Sequence, residues 1–561
     1  MKLTIGVTGH RNLVAAEVPA LREQVRAFFE ALAREYPGLE LQVITPLAEG
    51  ADRLVAQVAR ELGIPLVVPL PMPRAEYERD FSGTASVHEF RDLIEGAEVL
   101  SLPLAGDTAG AVGRNHLYAQ LGVFISNHCQ ILLALWDGKP GDESGGTADV
   151  VRYHLTAVMP GFSAGEESPN LLAENENDLA YHIVCSRDRP DGGPQAGLEE
   201  LHGYWLTAHF GRQQGPRMPE DYHLTMLRLQ AFAADDDTYR KLLGASARSL
   251  LAGEPPLAEP AGVRYVNRLF GVADWLAIHF QRRVYLNMLT THVVAIFMGL
   301  TFILYSEFGG PHWLVYLFLS LFLTGFAVYL VGDRREWHRK YLDYRALAEG
   351  LRVQLYWNLA GVVETETPEF AYDNFLQKQD VDLGWIRHIM RSASLYRDRT
   401  RAPDPAWVDW VADHWVGQAD GKTGQLGYYT EKSILKTRNL QRTARFGSLS
   451  LWGGILIAGV LALMAGRIGP DERHLLMILM GVLPLIAGVR DAFSHKRAEK
   501  ELIKQYRFMG KIFTNARRLL DGSTDTAFRR RVLRALGNAA LEEHAEWILM
   551  HRERPLEHSG L

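Results

Sequence analysis

Residues 129–149, CQILLALWDGKPGDESGGTAD, pass from an apolar run through turn-forming residues to Gly-Gly-Thr and the start of a helical pattern. The run CQILLALW is apolar on both faces of an extended chain, as in a strand covered by helices on either side. Five further segments upstream and downstream share that character: LTIGVTG (3–9), LQVITP (41–46), IPLVVPL (64–70), EVLSLPL (98–104) and AYHIVCS (180–186). Helix-period segments separate them, among them VPALREQVRAFFEALAREY, ADRLVAQVARELG and GRNHLYAQLGVFISNH. Alternation of this kind predicts a doubly wound α/β domain with a parallel sheet over residues 1–190.

Ligands of such sheets sit beyond the carboxyl ends of the strands, where helix N-termini present free N–H groups. Three strand exits carry suitable residues. At the first, Thr8, Gly9, His10 and Arg11 offer a hydroxyl, a close backbone approach, an imidazole and a guanidinium. At the second, Glu49, Gly50, Asp52 and Arg53 combine a turn with two carboxylates for ribose hydroxyls. The third is the opening stretch itself, where Gly145, Gly146 and Thr147 place amides and a hydroxyl at the head of TADVVRYHL. None is a Walker A sequence or a dinucleotide GxGxxG. Each glycine alone reads as an ordinary turn residue, and an acid such as Asp52 complements a helix dipole. Their convergence on one sheet edge is what favours a ligand.

The spread of TGHR, EGAD and SGGT over residues 1–190 resembles the SLOG superfamily, the nucleotide-binding Rossmann-like fold of Smf/DprA proteins, LOG-type phosphoribohydrolases and prokaryotic defence sensors. The resemblance implies a small ligand of the nucleotide or ADP-ribose type and no further cofactor. LOG hydrolases carry PGGxGTxxE. Here Gly146-Thr147-x-Asp149 matches only the end of that motif, without the spacer glycine and with Asp for the catalytic-type Glu. A sensing domain without catalysis is therefore the first expectation. A membrane-tethered phosphoribohydrolase using Asp149 or Glu49, and a scaffold with a degenerate pocket, are the alternatives.

The formal net charge of -6 supplies no general basic field, so a nucleic-acid partner is not expected. His88, His116, His128 and His154 lack metal-ligand spacing. The two cysteines, Cys129 and Cys185, lie in apolar stretches and cannot build a disulfide framework. The start MKLTIGVTGHR reads as a strand rather than a secretory signal.

A mean hydropathy of -0.09 averages unlike halves, because the long apolar runs all follow residue 280. Segments 284–306 and 311–332 contain no Asp, Glu, Lys or Arg and can each cross a hydrocarbon core of about 30 Å at about 1.5 Å per residue. Segments 446–466 and 474–489 form a second, shorter pair. Four transmembrane helices in two hairpins are expected, each hairpin followed by a long amphipathic cytoplasmic helix. Arg282, Arg283, Arg334, Arg335, Arg339 and Lys340 flank the first pair, and Arg442, Arg445, Lys496, Arg497 and Lys500 the second. By the positive-inside rule, both termini face the cytoplasm. His292 in the first span is a candidate intramembrane polar site, with a headgroup-level position as the alternative. Ser450, Gly454, Ala458, Ala462 and Gly466 make a small-residue stripe for close helix packing, within or between chains. Pro484 is placed to kink the fourth span.

The organisation expected is thus residues 1–190 as the nucleotide domain and 191–262 as a helical extension. Residues 263–365 carry the first hairpin with its helix, 366–425 a cytoplasmic helical segment, and 426–561 the second hairpin and C-terminal helices. The hairpin-plus-helix pattern and the tail LGNAALEEHAEWILMHRERPLE (536–557), with Glu543, Trp547, His551 and Arg552 to Pro555, resemble the SLATT superfamily of two-transmembrane effectors in prokaryotic conflict systems. That resemblance implies a homo-oligomeric pore-forming or bilayer-disturbing protein of a bacterial cytoplasmic membrane, triggered by a nucleotide in antiviral defence, with the lipid bilayer as partner.

Overall fold

The computed structural model describes residues 1–103, 110–141, 145–156, 158–159, 179–208, 211–215, 217–251, 255–260, 262–362, 383–397, 404–418, 420–464 and 466–552. Most of the segment 366–425 that precedes Gly384, residues 142–144 of the glycine-rich stretch, and the tail beyond Arg552 lie outside the described residues. The chain forms two compact units, Met1–Val272 with Gly350–Asp404, and Ala273–Glu349 with Pro405–Leu561.

The first unit holds an eight-stranded sheet: β1 (Lys2–Gly9), β2 (Glu40–Ile44), β3 (Leu66–Leu70), β4 (Glu98–Ser101), β5 (Ile131–Trp136), β6 (Leu179–Val184), β7 (Gly203–Thr207) and β8 (Gly211–Gln214). Their order is β4-β3-β2-β1-β5-β6-β7-β8. The first six pair in parallel and the last two antiparallel, so the sheet is a Rossmann-like one that continues past residue 190. Helices α1 (Val18–Glu35), α2 (Ala51–Glu61), α3 (Arg74–Tyr77), α4 (Gly83–Ile94), α5 (Gly110–His128) and α6 (Thr147–Thr156) connect the parallel strands, and α7 (Glu220–Ser246) follows the sheet. Burial on both faces explains the unbroken apolar runs: Leu3, Ile5, Val7 and all of Ile131–Leu135 are at most 1% exposed. Each such side chain contributes about 1.5–3 kcal/mol of burial. EVLSLPL was read as equally buried, but β4 is the sheet's edge, and Val99 is 45% exposed.

The chain leaves β1 toward β2 on one side and β5 toward β6 on the other. The sheet's topological switch point therefore lies between β1 and β5.

Beyond α7 come α8 (Val263–Glu307), α9 (His312–Arg334) and α10 (Trp337–Ala360). Next are α11 (Gly384–Ser394), α12 (Ala406–Val411) closed by a π-helical turn at Ala412–Val416, α13 (Gly424–Met464), α14 (Pro470–Lys496), α15 (Glu499–Asp521) and α16 (Thr526–Arg552). Helix α11, remote in sequence, belongs to the α/β unit. Gln130 at the head of β5 accepts the Thr4 N–H at 2.6 Å and donates to the Ser392 hydroxyl at 2.7 Å and the His388 carbonyl at 3.1 Å. Leu395 joins the core beside β5 and β6, and the Tyr396 hydroxyl accepts from Lys2 and Gln42, both at 3.1 Å.

Among the described residues, four helices are long and apolar enough to cross a membrane, with the apolar windows lying in α8, α9, α13 and α14. Their side chains are turned outward, with Tyr316, Leu449 and Leu463 at 72%, 74% and 89% exposure. The four pack through small residues. A Cβ on Gly299 would sit 2.4 Å from Leu485, one on Gly325 3.2 Å from Val294, and one on Gly454 2.7 Å from the Pro484 ring. Pro484 lies inside a continuous α14, where Gly454 makes room for it. Gly454 of the small-residue stripe is thus used within the chain, whereas Gly466 at its end faces open space, as does Gly459 outside the stripe. His292 turns its Nδ1–H back onto the Met288 carbonyl at 2.7 Å and packs edge-on to Phe493.

Helix α16 docks beside α10 through the tail residues. Asp343, fully buried, receives Arg339 and Arg552 at 2.9 Å each; Trp547 packs edge-on to Tyr341, and the His551 carbonyl lies 3.3 Å from His338.

Candidate ligand site at the sheet edge

Three backbone features assemble the edge. Gly50 has φ +83°, and a Cβ there would lie 2.2 Å from the Arg11 carbonyl and 2.5 Å from that of His10. A Cβ on Gly9 would lie 2.4 Å from that of Ala51, whose N–H donates to the His10 carbonyl at 3.0 Å. The TGHR and EGAD stretches therefore interlock, and both glycines are required by close approach. The third feature is Gly145 at φ +84°, where a Cβ would meet the Ala119 amide at 2.8 Å. Arg11, itself exposed, stands 5.1 Å from the ring of Tyr118. Tyr118 and Ala119 are consecutive in α5, so this helix brings the SGGT stretch to the other two.

The polar groups divide by what already holds them. Arg53 is 3% exposed and committed inward: its Nε donates to the Leu47 carbonyl at 3.1 Å, and Nη1 reaches Ser86 and Glu89 at 2.8 Å. It secures α4 to the loop before α2. Glu49 accepts the Ser82 N–H at 2.7 Å and hydroxyl at 2.6 Å, and contacts the Ser86 hydroxyl. Partial burial works to raise its pKa, but these bonds prevail and lower it. Burial pushes the Asp52 carboxyl up to about 7, against Arg11, the Ala48 N–H and Arg53, which all favour its ionised form. Asp149 accepts the Gly145 N–H at 3.0 Å and pairs with Arg152 at 2.7 Å, which is a capping role at the start of α6.

Arg11 is already engaged by Tyr118 and lies near Asp52, so the available groups are those of the first turn of α6. Among the described residues, the amides of Gly146, Thr147 and Ala148 have no hydrogen-bond acceptor, and these three residues are half-buried. Such amides, with the positive end of the helix dipole, are chemically suited to an anion. Thr8 is buried within β1, opposite Ala134.

Two acids at the site, Asp137 and Asp80, belong to none of the three motifs. Asp137 follows the last residue of β5 at the switch point, and His10 Nε2 lies 3.2 Å from its Oδ1. An acid directly after an all-apolar strand, inside the quoted opening stretch, was the available signal. Asp80, which takes the Tyr118 hydroxyl at 2.5 Å and contacts Arg114, carried no pattern of its own.

No family model, no curated protein and no solved structure matches the chain.

Proposed function

We propose that the chain is a nucleotide-responsive membrane effector of the SLOG-plus-SLATT kind, with a sensor edge in the α/β unit and two transmembrane hairpins, α8–α9 and α13–α14. The observation that carries this reading is the set of amides without acceptors in the α6 first turn, in a chain that among its described residues also holds four span-length apolar helices. Phosphate of a nucleotide or ADP-ribose-type ligand binds the Gly146–Ala148 amides. Basic residues around the hairpins orient the edge and both termini toward the cytoplasm of a bacterial cell. Ligand binding biases a homo-oligomeric assembly toward a conducting or bilayer-disturbing state, which requires unequal affinity for the two states. The hydrolase alternative calls on Asp149 or Glu49, and both are held by structural hydrogen bonds.

The test is a melting-temperature screen of the full-length protein in detergent against nucleoside phosphates, dinucleotides and ADP-ribose, followed by dye leakage from liposomes containing it. A ligand at 100 times its dissociation constant adds about 2.7 kcal/mol. Stabilisation lost in Gly146→Val, with leakage triggered by the same compound, is the expected result. No stabilisation by any member of the panel refutes the sensor reading.

A further inference from the structure

We propose that the Asp137 carboxylate at the exit of β5 accepts a hydroxyl of the ligand's sugar, so that the edge selects nucleotides with a free ribose hydroxyl over deoxy analogues or bare phosphate. The inference rests on the nucleotide reading and supplies its specificity.

The carboxylate is 1% exposed and only half used. Oδ1 accepts the Lys139 N–H at 3.0 Å, whereas Oδ2 is buried with no hydrogen-bond partner. A buried acceptor left bare carries the full desolvation cost of the group. The neighbouring ring does not relieve it. His10 Nε2 accepts the Asp137 N–H at 3.0 Å, and burial keeps this imidazole's pKa below its ordinary value, with Arg187 acting in the same direction against Asp137. A neutral ring bonded this way gives Asp137 no proton. Among the described residues, no lysine or arginine forms an ion pair with Asp137.

A second bare acceptor lies in the adjacent strand. His182, fully buried, donates its Nε2–H to the Trp136 carbonyl at 2.8 Å, which leaves Nδ1 unpaired. Asp137 Oδ2 beyond β5 and His182 Nδ1 within β6 are thus both buried acceptors without donors. An ionised phosphate brings no donors, but a ribose diol brings two.

The segment Arg187–Leu198 lies over the position. The Gln195 N–H donates to the Asp137 carbonyl at 2.8 Å, Lys139 Nζ donates to the Asp191 carbonyl at 2.8 Å, and Leu198 packs against Gly138. A sugar reaches Oδ2 when this segment lifts. The position lies at the switch point between β1 and β5, where the two connections diverge.

The experiment measures binding of AMP, 2′,3′-dideoxy-AMP and inorganic pyrophosphate to the full-length protein in detergent. Wild type is expected to favour AMP over the dideoxy analogue by roughly 10- to 150-fold, the range of a hydrogen bond to a charged group. The ratio should approach one in Asp137→Ala and fall partway in Asp137→Asn, while all three proteins keep pyrophosphate affinity. Equal binding of the two nucleotides by wild type overturns the assignment whether or not the variants fold, as does an unchanged ratio in Asp137→Ala. Pyrophosphate binding without nucleotide discrimination leaves the anion site standing and removes only Asp137. Binding of none of the three overturns the nucleotide reading and this assignment together.

Discussion

Replacing Gln130 with leucine tests whether the segment after the second span-length helix is part of the α/β unit. The side chain is 1% exposed and makes three bonds, one to Thr4 in β1 and two to Ser392 and His388 in α11. Leucine removes all three. The two bonds to α11 are worth about 0.5–1.5 kcal/mol each, so its docking should weaken by about 1–3 kcal/mol. Amide exchange through local undocking rises by the corresponding factor, roughly 5- to 150-fold, since 1.36 kcal/mol is one decade. The Thr4 N–H, left buried without its acceptor, costs about a further 1–3 kcal/mol. A unit of this size loses about 2–4 °C per kcal/mol, which predicts a melting transition lowered by roughly 4–24 °C. Hydrogen exchange with mass spectrometry on the full-length protein reads both effects, with β5 and β6 as the internal reference. If exchange across Trp385–Ser394 is unchanged while the melting temperature falls, the helix does not depend on Gln130. Fast exchange there in the wild type would show that it is not docked at all.

Three further outcomes are expected. Gly454→Leu should disrupt the packing of α13 on α14, because its Cβ would sit 2.7 Å from the stiff Pro484 ring, whereas Gly459→Leu faces open space and should be silent; detergent melting of the pair separates them. Arg552→Ala removes one of the two guanidinium partners of fully buried Asp343, a change of the kind that costs about 3–5 kcal/mol, and should release α16 with a shift in Trp547 fluorescence. Burial and the nearby Glu349 push the Glu543 carboxyl up to about 7. A raised acid stabilises the fold fully below its unfolded pKa near 4.5 and loses that contribution as pH rises through about 7. Docking of α16 should therefore weaken over that interval, and Glu543→Gln should flatten the pH dependence of its proteolysis.

The alternation of two-sided apolar runs and helical segments was enough to read the parallel sheet, because burial between helix layers leaves a composition that no surface strand needs. β7 and β8 escaped notice. Both are short; GRQQ is polar and forms the sheet's edge, whereas GYWLT is buried but too short to stand out, and the pair is antiparallel rather than part of the βα alternation. Helix α11 was legible as a helix but not as part of this unit, since a docking partner 258 residues away leaves no local periodicity. The span-length helices were the plainest signal, as uninterrupted apolar length needs no tertiary context.

At the candidate site, the three strand exits that the sequence singled out do converge, but the sequence could not tell which of their polar residues were already occupied. Arg53, Glu49 and Asp149 look like ligand groups in a motif, yet each spends its hydrogen bonds on building the loop that carries it. The distinction matters for mechanism. Asp52 and Asp137 are both buried acids beside the TGHR stretch, but Arg11 and the Ala48 N–H already stabilise the first, while Oδ2 of the second has no donor. Recognition by donors is therefore argued from the incomplete group rather than from the conspicuous motif. The α6 amides are donors without acceptors and suit a phosphate, and Oδ2 of Asp137 is an acceptor without a donor and suits a hydroxyl. A ligand that carries both kinds of group completes both sets at once, and a nucleotide is the simplest such molecule.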